Sequence, residues 1–432
     1  MDPEEQVAEI LETADNREIK TTGAANGAAG RLFSNSAAMA ITNLAGRGIG
    51  YAYFILMARR LPVSYLGAYA ILVSASMMIE LVSNLGLDKI LIREIARSGG
   101  TAGQGYFRAA LPIRLTAGAV SAAAAWILLR VFFKNLPVGP LSTALYLCGI
   151  FPIVTARNCE AFLTAHERLL PIAASQLLER AFILGGVVLL SFGYLSFSDL
   201  VRIAPLASVA RLLVVGRSTL RLWGRQAVSV LPHMGRLLRQ ALELFSVEVL
   251  ALIYGRSDMF LLARMGGLGD AGIYQICYKV FDLCVSLFTG FLQAVFPRMV
   301  RDSSRRSLRT ILALGAAAVA IPAGAIVLWR RPLLGAVHPE YLRGSTALMW
   351  LMLTVPLVYV TSTLANAAIV AGRVRIMIGL AGLLLTANVG LNLALIPRYA
   401  IDGAAFSTFA CELASVLLLG PIVWKSLSQT AD

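Results

Sequence analysis

Residues 308–329 read LRTILALGAAAVAIPAGAIVLW, an apolar run whose only charge, Arg309, stands near its start. Wound as a helix rising 1.5 Å per residue, such a run matches a hydrocarbon core of about 30 Å. Comparable stretches extend from it in both directions: Leu32–Ala58, Tyr65–Leu85, Ala109–Phe133, Leu141–Ala165, Pro171–Tyr194, Leu200–Val215, Ala241–Ala263, Gly272–Phe296, Ser345–Val370, Ile376–Ile396 and Ile401–Val423. The expectation is an all-α polytopic membrane protein with about twelve transmembrane helices. Composition agrees, since 58% hydrophobic residues, 14% charged residues and a mean hydropathy of +0.73 leave too little polar surface for a chain in water.

The polar, partly acidic start of the chain, with Glu4, Glu5, Glu9 and Glu12, lacks the charged-then-apolar order of a cleavable signal peptide. Numbering spans from a cytoplasmic N-terminus puts Lys89, Arg93, Arg97, Arg108, Arg168, Arg217, Arg221, Arg225, Arg236, Arg239, Arg298, Arg301, Arg305, Arg306, Arg309, Arg373 and Arg375 in inner loops. The outer loops, with Arg59, Arg60, Arg130, Lys134, Arg264, Arg330, Arg343 and Arg398 among their cations, carry about half as many in all. Both termini are therefore expected in the cytoplasm, with the chain in the cytoplasmic, or inner, membrane. The net charge of +14 then sits mainly where anionic lipid attracts it, and nucleic acid is not needed as a partner. Cys148, Cys159, Cys277, Cys284 and Cys411 fall inside spans without a C-x-x-C pair, and His166, His233 and His338 share no metal-ligand spacing. No metal site and no catalytic residue is expected.

Comparing the chain with itself reveals a repeat. Met57-Ala58-Arg59, then Gly67 and Tyr69, returns as Leu262-Ala263-Arg264, then Gly272 and Tyr274, at an offset of 264 − 59 = 205 residues. Arg93 maps onto Arg298 and Arg168 onto Arg373 at the same offset. The reading is two six-helix bundles around a central cleft, parallel because each half has an even number of spans. A polar cytoplasmic tail (1–30), an N-terminal lobe (31–215), a basic cytoplasmic linker (216–240), a C-terminal lobe (241–424) and a cytoplasmic tail (425–432) follow from it. The linker, with Trp223, Leu231, Met234 and Leu237 among arginines, reads as a helix on the cytoplasmic surface, as does the amphipathic segment Asp88–Arg97.

A charge at mid-bilayer costs roughly 2.5–3.5 kcal/mol, so such residues face a cavity or a partner. Asn43, Arg47 and Tyr51 follow i, i+4, i+8 spacing and form one stripe; the offset carries them onto Glu248, Leu252 and Arg256. Lys279 and Asp282 add a further pair. Arg47, Asn43, Tyr51, Arg256 and Lys279 are the candidate substrate-binding residues. The competing reading is structural ion pairing within a helix turn, as in Lys279–Asp282, Arg157–Glu160 or Glu179–Arg180. The first half holds more basic than acidic residues in its spans and the second half more acidic ones. Gly46-Arg47-Gly48-Ile49-Gly50 lies mid-helix with no preceding strand, so it reads as close helix packing and not a dinucleotide loop.

Three stretches resemble the polysaccharide-export branch of the superfamily that also contains the lipid II flippases and the multidrug and toxin extruders. They are Ala58-Arg59-Arg60-Leu61 to Leu66-Gly67-Ala68-Tyr69; Ser257–Leu262 to Ala271-Gly272-Ile273-Tyr274 and Phe296-Pro297; and Asn392–Tyr399 with Asp402-Gly403-Ala404-Ala405. Tyr399-Ala400 departs from the pattern, which usually has glycine after that position. The resemblance implies two rocking lobes that turn a polyprenyl-pyrophosphate-linked oligosaccharide from the inner to the outer leaflet, with other polysaccharide-assembly proteins as further partners. A pyrophosphate needs cations to leave water, and no bond changes, so neither nucleophile nor cofactor is implied. Likeness to lipid II flippases further implies an ion-coupling site for Na+ or H+ at Glu248, Asn388, Asn392 and Thr408, with the Ala404 carbonyl; the competing reading is that the two asparagines only hydrogen-bond across helices. A multidrug antiporter using the acidic second half, and a membrane-embedded glycan polymerase or glycosyltransferase, are the alternative functions. The short outer loops disfavour the second of these.

The orientation is testable by cysteine labelling. Thiols introduced beside Arg221 and Arg305 should react only from the cytoplasm, and those beside Val138 and Gly335 only from outside. The reverse pattern would overturn the charge-bias argument.

Overall fold

The computed structural model describes residues 42, 44–98, 100–223, 231–301, 304–370 and 373–426. The N-terminal tail (1–30), Asn43 and most of the C-terminal tail lie outside the described residues. Among the described residues every regular element is helical. This is the outcome lipid enforces, since a backbone out of reach of water satisfies its own polar groups in helices or closed barrels.

The first helix, α1, covers residues 44–60. It is followed by α2 (Val63–Asn84), α3 (Leu87–Ser98), α4 (Gly100–Phe132), α5 (Pro140–Cys148), α6 (Ile150–Ala165), α7 (Leu170–Ser191) and α8 (Phe197–Arg221). The second half has α9 (Leu231–Met265), α10 (Leu268–Arg301), α11 (Arg305–Val337), the 3-10 turn η1 (Pro339–Gly344), α12 (Ser345–Val370) and α13 (Val374–Ser426). Helix limits repeat at the offset found in the sequence. Gly100–Phe132 recurs as Arg305–Val337, and Pro140–Ala165, broken only at Gly149, recurs as Ser345–Val370, each limit 205 residues further on (305 − 100, 345 − 140). Helices α3–α8 pack mainly within the first half and α9–α13 within the second, whereas α2 packs chiefly on α10 across the two.

Among the described residues, eight helical segments are long and apolar enough to cross a membrane. The difference from about twelve has identifiable causes. One of the eight, Ile376–Lys425, contains two of the expected spans, because α13 runs on through a bend at Ala400. The stretches expected in α8 and α9 are helical throughout, but they carry more charge than the other spans. Only the end of the first expected span falls within the described residues. The linker is not one separate surface helix either: its start completes α8 and residues 231–240 begin α9, with 224–230 outside the described residues. Leu237 packs with Leu87, Ile90 and Leu91 of α3, and Arg93 donates to Gln240 at 2.9 Å, which ties the root of α9 to the first half.

Ser196 caps α8, with its hydroxyl accepting from the Asp199 amide while the Asp199 carboxylate accepts from the Ser196 amide. The Ser196 hydroxyl also donates to Asp199 and holds that exposed carboxyl below the usual carboxylate range.

The two halves meet most closely where α2 crosses α10. A Cβ added at Gly67 would overlap the Leu268 carbonyl oxygen, and one added at Gly272 would overlap that of Val63. Val63 and Leu268 are repeat mates, as are Gly67 and Gly272, so the contact is a local two-fold crossing of backbone on backbone. Around it Tyr341 is fully buried with its hydroxyl 3.4 Å from the Ala58 carbonyl, Arg59 donates to the Ala336 carbonyl at 2.9 Å, and Arg343 pairs with Asp270 at 3.1 Å. The charge bias of the loops predicts that this closed end is the outer one.

A side chain at either glycine should force the lobes apart at this end, costing on the order of 1–3 kcal/mol as overpacking does. With spin labels on R60C and L342C, both exposed, G67V or G272V should lengthen the mean distance measured by double electron-electron resonance. An unchanged distance would show that the glycine crossing does not set the closure.

Candidate functional site

Charges within the helices fall into two sets. The first set is neutralised within the first lobe: Arg211 forks onto both oxygens of Glu160 at 2.8 and 2.9 Å and reaches Glu179 at 2.9 Å. Arg157 donates to Glu80 at 2.6 Å and lies 3.7 Å from Asp88, which accepts from the fully buried Arg114 at 2.7 Å. Expected pairing within one helix turn, Arg157 with Glu160 and Glu179 with Arg180, is therefore replaced by pairing between helices. Bidentate contact needs the fork to meet a carboxylate face-on, which a neighbouring helix offers more readily than the same one. Removing one partner of a buried pair such as Arg211–Glu160 typically costs about 3–5 kcal/mol, which marks that pair as structural.

The second set faces the space between the lobes. Lys279 of α10 places its ammonium 4.5 Å from the ring centre of Phe54 on α1, and Arg256 of α9 lies 5.6 Å from the ring centre of Tyr278. Arg180 of α7 donates to the Gly46 carbonyl on α1 at 2.8 Å, crowding the glycine run there. Asp282 is within electrostatic reach of Arg256, Lys279 and Arg47, Tyr51 is within reach of Asp282 and Arg47, and Lys279 feels Arg180. Among the described residues none of these four cations has a carboxylate within 4.0 Å, so Lys279 and Asp282 are neighbours and not a closed ion pair.

Four of the five candidate binding residues, Arg47, Tyr51, Arg256 and Lys279, are thus assembled, and Asn43 lies outside the described residues. Arg180 joins them unannounced. Its position maps onto Leu385 in the second half, so the repeat could not flag it, and Glu179 beside it suggested a local pair.

Next to this cluster, inside the second half, is a cavity of about 210 Å³ lined by Tyr254, Asp258, Asp282, Asn388, Thr408 and Glu412, among others. Asp258 is buried and accepts from the Tyr274 hydroxyl at 2.6 Å and from the Met259 amide at 2.7 Å. Glu412 accepts from the Tyr254 hydroxyl at 3.0 Å, and its other oxygen is buried beside Thr361 without a bond of hydrogen-bonding geometry.

The residues expected for ion coupling are partly gathered here. Asn388 and Thr408 line the cavity, but the Asn388 carbonyl oxygen accepts from Asn392 at 3.0 Å and from Ser257 at 3.4 Å. Thr408 donates to the Ala404 carbonyl at 3.2 Å. Asn392 is wholly buried, with its own carbonyl oxygen unpartnered. Glu248 is helical, with its side chain outside the described residues. Asp258, Tyr254 and Glu412 were not foreseen as members of this site: Asp258 stood in a family-like motif and Glu412 only in a charge count. Among the described residues no three His, Cys, Asp or Glu side chains form a metal-binding group.

Likeness to solved structures agrees with this architecture. A lipid II flippase, MurJ, in an inward closed conformation superposes with a TM-score of 0.75 at 14% identity, covering 90% of this chain and 88% of that one. An inward-facing multidrug resistance MATE family transporter of the MOP superfamily gives 0.70 at 15% identity, covering 89% and 96%. An outward-facing conformation of such a transporter gives 0.61 at 12% identity, covering 92% and 96%. No curated protein sequence matches. A family model described as polysaccharide biosynthesis protein matches residues 32–302, more than half of the chain. The chain therefore belongs to the polysaccharide biosynthesis protein family.

Proposed function

We propose that this multi-pass membrane protein is a flippase that carries a polyprenyl-pyrophosphate-linked oligosaccharide across the cytoplasmic membrane by alternating access of its two lobes, with both termini in the cytoplasm. The observation that carries the reading is the group of cations Arg47, Arg180, Arg256 and Lys279, contributed by both lobes to one space and left without close carboxylates among the described residues. A pyrophosphate offers the opposite charge, and guanidinium forks suit its oxygens. Family membership and the likeness to a lipid II flippase support it.

Coupling to an ion gradient follows from the neighbouring acids. Asp258 and Glu412 sit in the second lobe with tyrosine hydroxyls as their partners, an arrangement suited to exchanging a proton. Asn388, Asn392, Thr408 and the Ala404 carbonyl support these acids, with several of their oxygens already engaged, which favours H+ over Na+. Asp282 belongs to both groups and links them.

A second reading, export of aromatic cations, is favoured by the acidic cavity with Tyr254 and Tyr278 in its wall. It predicts dye sensitivity with unchanged surface polysaccharide in a deletion strain.

In proteoliposomes, R47A, R180A, R256A and K279A should each lower transport with unchanged membrane abundance. Loss of one charge-assisted contact of about 1.5–3 kcal/mol corresponds to roughly 10–100-fold in headgroup affinity. R47K should rescue in part, lacking the planar fork. Full activity in all four alanine variants would remove the proposal. E412Q and D258N should abolish the dependence on a proton gradient, and transport undiminished when proton and sodium gradients are both collapsed would refute ion coupling.

A further inference from the structure

A groove of about 580 Å³ lies between the lobes, and its lining is hydrocarbon apart from Ser121, Ser257 and Arg264. One wall is α2 and α4 of the first lobe, with Ile79, Ala124, Leu128 and Phe132; the other is α9, with Ile253 and Phe260. Phe133 and Phe260 approach across it, with ring centres 6.5 Å apart. Ala124, Leu128, Phe132 and Ile253 are exposed, so the groove opens toward lipid.

From these observations we infer that the groove holds the apolar tail of the transported lipid while its headgroup occupies the neighbouring cation cluster. The inference rests on the flippase reading and adds a site to it. Volume decides against a partner helix: about 580 Å³ falls in the range of roughly 300–1,000 Å³ that takes one small ligand, far below what a spanning helix of about twenty residues would need. Walls from two lobes also require an occupant that bends or leaves when they move, which a prenyl chain does readily. Helix α9 connects the two sites directly, since Arg256 belongs to the cation cluster and the next residue, Ser257, lines the groove. A headgroup bound on one side of α9 therefore leaves its tail a short path to the other.

The hollow is a property of this face of the molecule. At the repeat-related positions, Ser121, Ala124 and Ala125 are replaced by Ile326, Trp329 and Arg330. Small residues on α4 thus open a recess that the repeat does not require. Arg264 is similarly distinct: it lines the groove, whereas its mate Arg59 is bound to the Ala336 carbonyl.

The test uses full-length protein in nanodiscs with two photoreactive probes: a polyprenyl pyrophosphate bearing a terminal benzophenone, and phosphatidylglycerol bearing one on an acyl chain. Crosslinks are mapped by mass spectrometry. The polyprenyl probe should label α4 between Ser121 and Phe132 and α9 between Ile253 and Leu261. A124W, which transplants the bulk found at Trp329, should cut that labelling about tenfold. A124L serves as a second filling variant, and the melting temperature of both verifies folding. Labelling elsewhere, labelling insensitive to both variants, or equal labelling by phosphatidylglycerol, which marks a bulk-lipid crevice only, would each overturn the inference. A polyprenol probe without pyrophosphate separates the two claims. Groove labelling by it in a protein that moves no lipid-linked glycan would sink the flippase reading and leave an apolar-chain site. Transport without groove labelling would do the opposite.

Discussion

The carbonyl oxygens of Val63 and Leu268 occupy the space that side chains at Gly272 and Gly67 would need, and the remaining geometry follows from this one crossing. Two backbones can approach so closely only where neither carries a Cβ, which is how helices without a hydrophobic driving force between them gain packing energy in lipid. Because the two glycines are repeat mates, each lobe makes the same contact with the other. Tyr341, Arg59 and Arg343 then seal the end around it. Away from that end, α1, α9 and α10 border the cleft where the cations gather.

Charge is distributed between the lobes by the same economy. Desolvating an ion costs several kcal/mol, which an opposing charge must offset, so Arg114, Arg157 and Arg211 of the first lobe are bound into interhelical pairs with Glu80, Asp88, Glu160 and Glu179. The cations that face the interlobe space, from both lobes, rely instead on aromatic rings and a backbone carbonyl, as Lys279 of the second lobe does with Phe54 and Arg180 of the first with Gly46. Such contacts are weaker than a salt bridge and easily exchanged. Cations held in this way remain available to an anion entering from outside the protein.

Much of this architecture was legible in the sequence, because its period is written in residues whose role is local. Arg59 and Arg264, Gly67 and Gly272, and Tyr69 and Tyr274 gave the offset, and the limits of α4 and α11 obey it to the residue. The stripe of Arg47 and Tyr51 was readable from helical spacing, and so was its relation to Arg256. What spacing does not carry is the identity of a partner on another helix. Arg157 could reach Glu160 on its own helix and instead meets Glu80, while Arg180 turns from Glu179 to a carbonyl in α1. Apolarity alone marks fewer segments than the expected spans because α8 and α9, helical throughout, carry more charge than the others. Ala400 shows the remaining limit. Its departure from glycine was visible in sequence, but not that the position has φ 46° and ψ −120°, where alanine is strained and glycine is not. The turn there is enforced by Gly403, where a Cβ would stand 2.6 Å from the Leu395 carbonyl oxygen.

On the proposed reading, Asp282 gives the two halves of the site a common term. It lines the acidic cavity with Asp258 and Glu412, and it also feels Arg47, Arg256 and Lys279. Opposite charges attract beyond contact distance where little water screens them, so neutralising one carboxylate changes how strongly the cluster attracts an anion. Proton occupancy and headgroup occupancy are then linked in sign: a proton on Asp282 leaves the cations less compensated and favours the pyrophosphate, and its loss favours release. Reciprocity follows, since a bound anion must equally favour the protonated acid. No relay across the lobe is needed for this coupling, because one side chain belongs to both sites.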